Sequence, residues 1–151
     1  MRALFDYGEI FKVGVSVCGY DDSALCPAAW AEKYRGPDGG HSEAELPNSA
    51  AAHKLTGRLL LISGDLDENV PLSHTLSVAS ALIRANRDFD LLIVPNETHM
   101  LMMTSGYVQR RIWDYFVRHL GGEAPPKCFD LPFEPYEINC LAARYAQEFR
   151  E

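Results

Sequence analysis

The chain has 151 residues, 47% of them hydrophobic and 23% charged, and a formal net charge of −7. That length suffices for one domain around one sizeable core. The acids are spread along the chain. Its densest basic group, Arg110, Arg111 and Arg118, reads as the solvated face of one helix, which argues against a nucleic-acid partner.

No apolar stretch reaches the ~18 residues of a membrane span. No signal peptide stands at Met1, and nothing in the chain gives an address, so the compartment is left open. The four cysteines (Cys18, Cys26, Cys128, Cys140) fit neither CxxC nor a zinc ribbon, and the five histidines form neither HExxH nor HxH. The expectation is therefore no metal site and no cofactor. Cys18 continues an apolar run and reads as a small buried side chain.

Residues 2–11 (RALFDYGEIF) place Ala3, Leu4 and Tyr7 at helical spacing, with no capping signal ahead of them. Residues 12–17 (KVGVSV) predict a short buried strand. Gly14 to Val17 copies the first four letters of the nucleophile elbow GxSxG, but Cys18 holds the fifth place. An elbow is also a strand-to-helix turn, and Ser16 falls inside the strand, so it reads as a small strand residue. Residues 28–34 predict a short helix on which Trp30 and Tyr34 share a face. Residues 37–47, rich in Gly, Pro and polar side chains, predict a loop. Asn48-Ser49 then caps a short helix over 50–55.

The apolar run 59–62 ends at Ser63-Gly64 and is followed by the acidic turn Asp65-Leu66-Asp67-Glu68-Asn69. A helix is predicted over 72–85, with Pro71 at its start and Leu72, Leu76, Ala79, Leu82 and Ile83 facing the core. A second apolar run, 91–94, leads into the loop that carries His99. The last long helix runs from a cap at Thr104 or Ser105 to Leu120, with Tyr107, Val108, Ile112, Tyr115, Phe116 and Leu120 on its apolar face. Gly121-Gly122 ends it. Residues 1–122 thus predict one α/β domain, and 123–151 a tail with one amphipathic helix over 136–149.

Short apolar runs alternating with helices predict buried parallel strands in βαβ units. In such sheets the functional loops lie at the carboxyl ends of the strands. Asp67 and His99 each follow such an end, in the order acid then histidine. That order suits an acid that orients a histidine and stabilises its protonated form. The plainer reading of 64–69 is a turn whose Asp and Asn side chains bond locally. A calcium loop does not fit, because the later Gly and Glu of an EF-hand are absent.

Several segments in one order then resemble the C-terminal half of the catalytic domain of the prolyl oligopeptidase (S9) family of serine peptidases, in its dipeptidyl-peptidase IV-like branch. RALFDYGEIFKVGVSV resembles the helix and strand that follow the nucleophile. WAEKYRG resembles the family's W-x-E-x-Y-x-G. LLLISGDLDENV resembles LLLIHG-x-x-D-D-N-V, RANRDFDLLIVPNETH the approach to the catalytic histidine, and RRIWDYFVRHLGG the closing helix. Together they cover residues 1–126.

The resemblance implies an α/β-hydrolase fold without its nucleophile-elbow half. It makes Asp67 the triad acid and His99 the triad base, with Asn69 and Val70 binding substrate and lining the S1 pocket. Asp65 and Glu68 become supporting residues. The implied reaction is hydrolysis of short peptides by Ser-Asp-His acyl transfer, with no cofactor. The serine, in GxSxGG, would lie about ten residues upstream of Met1. The implied partners are a peptide substrate, the N-terminal catalytic half and a propeller domain.

The chain departs from the family pattern at three places. Ser63 stands for the family's His. Met100 puts a side chain where a Gly follows the catalytic His, which is expected to displace His99 or narrow the site. The aromatic residues of a proline-selective S1 pocket are not evident in 20–29. These departures keep two rivals open: an esterase or acyl-aminoacyl hydrolase of the same fold, and a non-catalytic scaffold serving as a binding module. An open sheet edge further predicts self-association, as a homodimer or an aggregate.

Overall fold

A computed structural model describes residues 1–22, 25, 33 and 46–131 of the chain. The helices expected over 28–34 and 136–149, most of the 37–47 loop, and Cys26 and Cys140 lie outside the described residues.

Three strands form a parallel sheet in the order β1 (Val13–Val17), β2 (Arg58–Gly64), β3 (Asp90–Val94). Val15 pairs with Leu60, and Ile62 with Leu92. β2 is the central strand, and Leu59 to Gly64 are all buried. β1 is only partly buried, and β3 begins exposed. Among the described residues both flanking strands are edges of the sheet.

Side chains along β2 alternate between two cores, as a pleated strand requires. Leu59 and Leu61 join Leu4, Phe5, Ala51, Ala52, Val78 and Leu82 on one face. Helix α1 (Arg2–Asp6), a 3-10 helix (Asn48–Lys54) and helix α2 (Ser73–Arg84) supply that layer. Leu60 and Ile62 join Cys18, Leu101, Val108 and Tyr115 on the other face. There the cover comes from the short α3 (Leu101–Thr104) and from α4 (Gly106–Phe116), which continues into a π-helical turn, Val117–Gly121. Parallel strands with helices on both faces are the α/β arrangement that the alternating pattern predicts.

Helix ends follow local chemistry. Ser105 is the N-cap of α4, and its hydroxyl accepts from the Val108 N–H. Gly122 closes the helical run with φ +71°, the left-handed conformation glycine adopts at least cost.

Two predicted helix faces need correction. On α2, Val78, Ala79 and Leu82 are buried, but so are His74 and Thr75. Leu76 and Ile83, expected in the core, are 46% and 68% exposed. Two polar residues on the inward side rotate the true face away from the one that apolar spacing marks. On α4, Val108 and Tyr115 point inward while Tyr107 and Leu120 are exposed. Tyr115 tolerates its buried site because its hydroxyl donates to Asp90 at 3.0 Å, tying α4 to the start of β3. Burial and that carboxylate push its phenol well above the ordinary range. The short α3 has no counterpart among the predicted elements.

Candidate active site

The loop after β2 and the loop after β3 meet at the carboxyl edge of the sheet. Backbone N–H groups of Asp65 and Leu66 donate to the carbonyls of Val94 and Glu97 at 3.3 and 3.1 Å. The Asn96 N–H donates to Asp65 Oδ1 at 2.6 Å. Gly64 makes the approach feasible, because a Cβ there would run into the Glu97 carbonyl. Asn96 turns its loop with φ +61°, a conformation that asparagine tolerates better than most residues. Asp65 thus holds the two loops together.

Asp67 is buried, 6% exposed, at the centre of this junction. Its Oδ1 accepts from the backbone N–H groups of Asn69 and Val70 at 3.0 and 2.8 Å. The Asx-type turn is therefore present, and it fixes the carboxylate in place. The local-bonding reading of this loop and the functional one are both satisfied by the same atoms. Oδ2 meets His99 Nδ1 at 2.9 Å. Burial pushes the Asp67 carboxyl up. Hydrogen bonds from the Val70 N–H, His99 and Cys18 outweigh it and hold the group below the usual carboxylate range.

The direction of the Asp67–His99 bond follows from that shift. An ionised carboxylate only accepts, so Nδ1 must carry the proton. In the neutral ring Nε2 then keeps a lone pair, and the His99 side chain is 33% exposed while that of Asp67 is at 0%. A buried acid, an oriented imidazole and an accessible basic nitrogen can together accept a proton from a hydroxyl and return it to a leaving group.

Met100 does not displace His99. Its φ is −83°, an ordinary backbone conformation for any residue, and it leads directly into α3. Asn69 is exposed and Val70 half-buried beside the acid. Ser16 sits within β1, paired with Leu61, and so is not on an elbow. Ser63 Oγ bonds the Gly64 carbonyl, and Ser105 Oγ caps α4.

Sequence reasoning places Cys18 in the core but not at this site. It follows β1 directly, with its N–H on the Ile62 carbonyl at 2.9 Å and φ +47°. Burial pushes its thiol up to about 12, and the neighbouring Asp67 carboxylate adds to the effect. The thiol is therefore neutral at physiological pH. Cys18 Sγ, an Asp67 oxygen and a His99 ring nitrogen lie within 4.8 Å of one another. Rules based on local spacing cannot find this group, because its members come from three separate strand ends.

The chain matches the model of the prolyl oligopeptidase family over residues 1–123. It is 29% identical to mouse dipeptidyl peptidase 8 over 128 residues, which cover 80% of this chain and 14% of the relative. Solved structures of Porphyromonas gingivalis dipeptidyl peptidase 4 and of Pyrococcus horikoshii acylaminoacyl peptidase superpose with TM-scores of 0.66 and 0.68, at 24% and 21% identity. They cover 80% and 85% of this chain and 17% and 23% of their own. The chain thus spans only a small part of the length of these proteins. The parallel sheet with helices on both faces is part of an α/β-hydrolase fold, and the chain belongs to the prolyl oligopeptidase family.

Proposed function

We propose that Asp67 and His99 are the acid and base of a serine peptidase that cleaves short peptides, and that the serine comes from outside this chain. The observation that carries the reading is the 2.9 Å bond between a buried, doubly anchored carboxylate and Nδ1 of a partly exposed histidine. In the reaction, His99 Nε2 takes the proton of the attacking serine hydroxyl and passes it to the leaving amine. Asp67 keeps the ring in the required tautomer and stabilises the imidazolium. The backbones of Asn69 and Val70 anchor the acid. Their side chains, beside it on the same loop, face the substrate and shape its S1 subsite. Residues 1–122 form the catalytic part, and 123–151 a tail. Similarity to a dipeptidyl peptidase supports peptide rather than ester substrates.

The test is hydrolysis of a dipeptide p-nitroanilide by a polypeptide that includes an upstream GxSxGG segment. His99→Ala should lower kcat by about 10⁶-fold and Asp67→Ala by about 10⁴-fold. The 151-residue chain alone should show no turnover that depends on His99. Turnover by that chain, lost in His99→Ala, would overturn the division of the triad. Faster turnover of p-nitrophenyl esters than of anilides by the longer polypeptide would favour the esterase reading. Among the described residues β1 is an edge strand, so we expect self-association of the chain, and a monodisperse monomer in sedimentation would count against it.

A further inference from the structure

We propose that Cys18, Asp67 and His99 form a binding site for a thiophilic divalent cation of the zinc type, and that the ion shuts off the acid–base pair. Binding rests on geometry alone. Only its effect on catalysis rests on the peptidase reading.

The three groups offer one sulfur, one carboxylate oxygen and one imidazole nitrogen, a donor set that suits zinc or cobalt rather than magnesium or calcium. They converge within 4.8 Å. Cys18 and Asp67 are buried, at 7% and 6% exposure, and His99 opens one side to solvent, which provides the entry path. Two backbone N–H groups hold Asp67 Oδ1, so Oδ2 is the oxygen that can turn to a metal without loosening the loop.

Tetrahedral zinc sets its nitrogen and oxygen ligands about 3.4 Å apart, given bond lengths near 2.1 Å. His99 Nδ1 and Asp67 Oδ2 stand at 2.9 Å. The pair must therefore part by about half an ångström, and the thiol must close in by rotation about χ1. Water completes the fourth position.

Proton balance is simple. The Cys18 S–H proton leaves to solvent, and Nδ1 gives up its proton, which the ring regains at Nε2. One proton is released per ion. The dication, thiolate and carboxylate then sum to zero charge, which suits a largely buried position. The ring now carries its proton on Nε2 and donates there instead of accepting. A nucleophile hydroxyl facing it loses its base, so the ion inhibits by tautomer as well as by occupying Asp67.

The experiment titrates the 151-residue chain with cobalt(II) and follows the near-ultraviolet thiolate-to-cobalt band, with zinc as competitor. The triple substitution C26S/C128S/C140S, which leaves Cys18 as the single thiol, serves as the parent. We expect one cobalt per chain, a band displaced by zinc, loss of the band in Cys18→Ala, and weaker binding in His99→Gln. An outer-shell partner alone is worth about 10–100-fold in metal affinity, so loss of the histidine ligand should exceed about tenfold. His99 is partly exposed, so His99→Gln keeps the proposal testable even where Cys18→Ala unfolds, as circular dichroism would show. A missing band, a band that survives Cys18→Ala in folded protein, or an affinity unchanged in His99→Gln each overturns the proposal. None of these readouts needs the serine, so a failed metal site and a failed peptidase assignment are told apart.

Discussion

Among the described residues, two aspartate–histidine neighbourhoods are built in opposite ways. Asp67 and His99 share a direct bond, with every oxygen of the acid engaged and one nitrogen of the ring left accessible. Asp21 and His74 lie across the entrance to α2, both buried. There, His74 Nδ1 accepts from the backbone N–H groups of Asp21 and Asp22 at 3.4 Å each, long and weak bonds. Asp21 Oδ1 takes the Asn48 amide at 2.8 Å. Asp21 Oδ2 and His74 Nε2 are buried with no partner among the described residues. In the first pair the imidazole donates through Nδ1 and offers Nε2. In the second it accepts through Nδ1 and encloses Nε2. Proximity of an acid to a histidine is thus not what makes an acid–base pair. The direction of the Nδ1 bond and the access to Nε2 decide it.

The sharpest break in the comparison is functional. His99→Ala should cut peptidase turnover by about 10⁶-fold, and, because it takes one partner from buried Asp67 Oδ2, cost about 1 kcal/mol of stability. His74→Ala should do the reverse. It empties a site at 0% exposure beside the Tyr20 ring and the Asp21–Asp22 backbone and should lower unfolding free energy by about 2–3 kcal/mol in urea titration. A fully active but strongly destabilised His74→Ala protein beside an inactive, less destabilised His99→Ala one is the expected pattern. Equal destabilisation by both would erase the distinction.

Gly64→Ala tests whether the Asp67–His99 bond depends on the meeting of its two loops. A methyl group there drives into the Glu97 backbone, which cannot swing away as a side chain would. We expect a loss of about 2–3 kcal/mol and a His99 ring whose Nδ1–H resonance no longer reports a bonded carboxylate. Retention of that resonance would mean that the acid and base loops find each other without this close approach.

Much of this contrast is legible in the residues. β2 and β3 follow from their apolar runs, and the placement of Asp67 and His99 follows from strand ends plus chain order. Ser105 marks the start of α4 and Gly122 the end of the helical run that continues from it, as their types require. What stays hidden depends on contacts distant in sequence. Apolar spacing misplaces the inward face of α2 because His74 and Thr75 occupy core positions, with His74 held by Asp21 and Asp22 backbone more than fifty residues away. Cys18 reads as filler because its neighbours at the site, Asp67 and His99, follow two other strands. Gly64 looks like the end of a strand, and only the approach of the Glu97 carbonyl shows why no side chain fits there.

The smallest expected effect distinguishes the two acids by pH. The Asp67 carboxyl is held below its ordinary range, so the folded state binds its proton less readily than the unfolded chain does. Its stabilising contribution is full above about pH 3.9, the unfolded value, and is lost as pH falls through the folded value. Asp21 is shifted the other way. Burial raises its carboxyl, and the Asn48 bond and nearby His74 only partly offset this. Ionised Asp21 therefore burdens the fold at neutral pH, and that burden lifts as pH falls through its raised folded value toward about 3.9. Stability measured by urea midpoint should first rise on mild acidification, through Asp21, and then fall below about pH 3.9, through Asp67. Asp21→Asn should remove the rise and add stability at pH 7, on the order of 1 kcal/mol, since an amide oxygen can still accept from Asn48. Asp67→Asn should remove the acid-side loss instead, and its stability at pH 7 should be lower. If the two substitutions flattened the same limb of the curve, the carboxylates would be in equivalent settings, and the contrast drawn from their hydrogen bonds would fail.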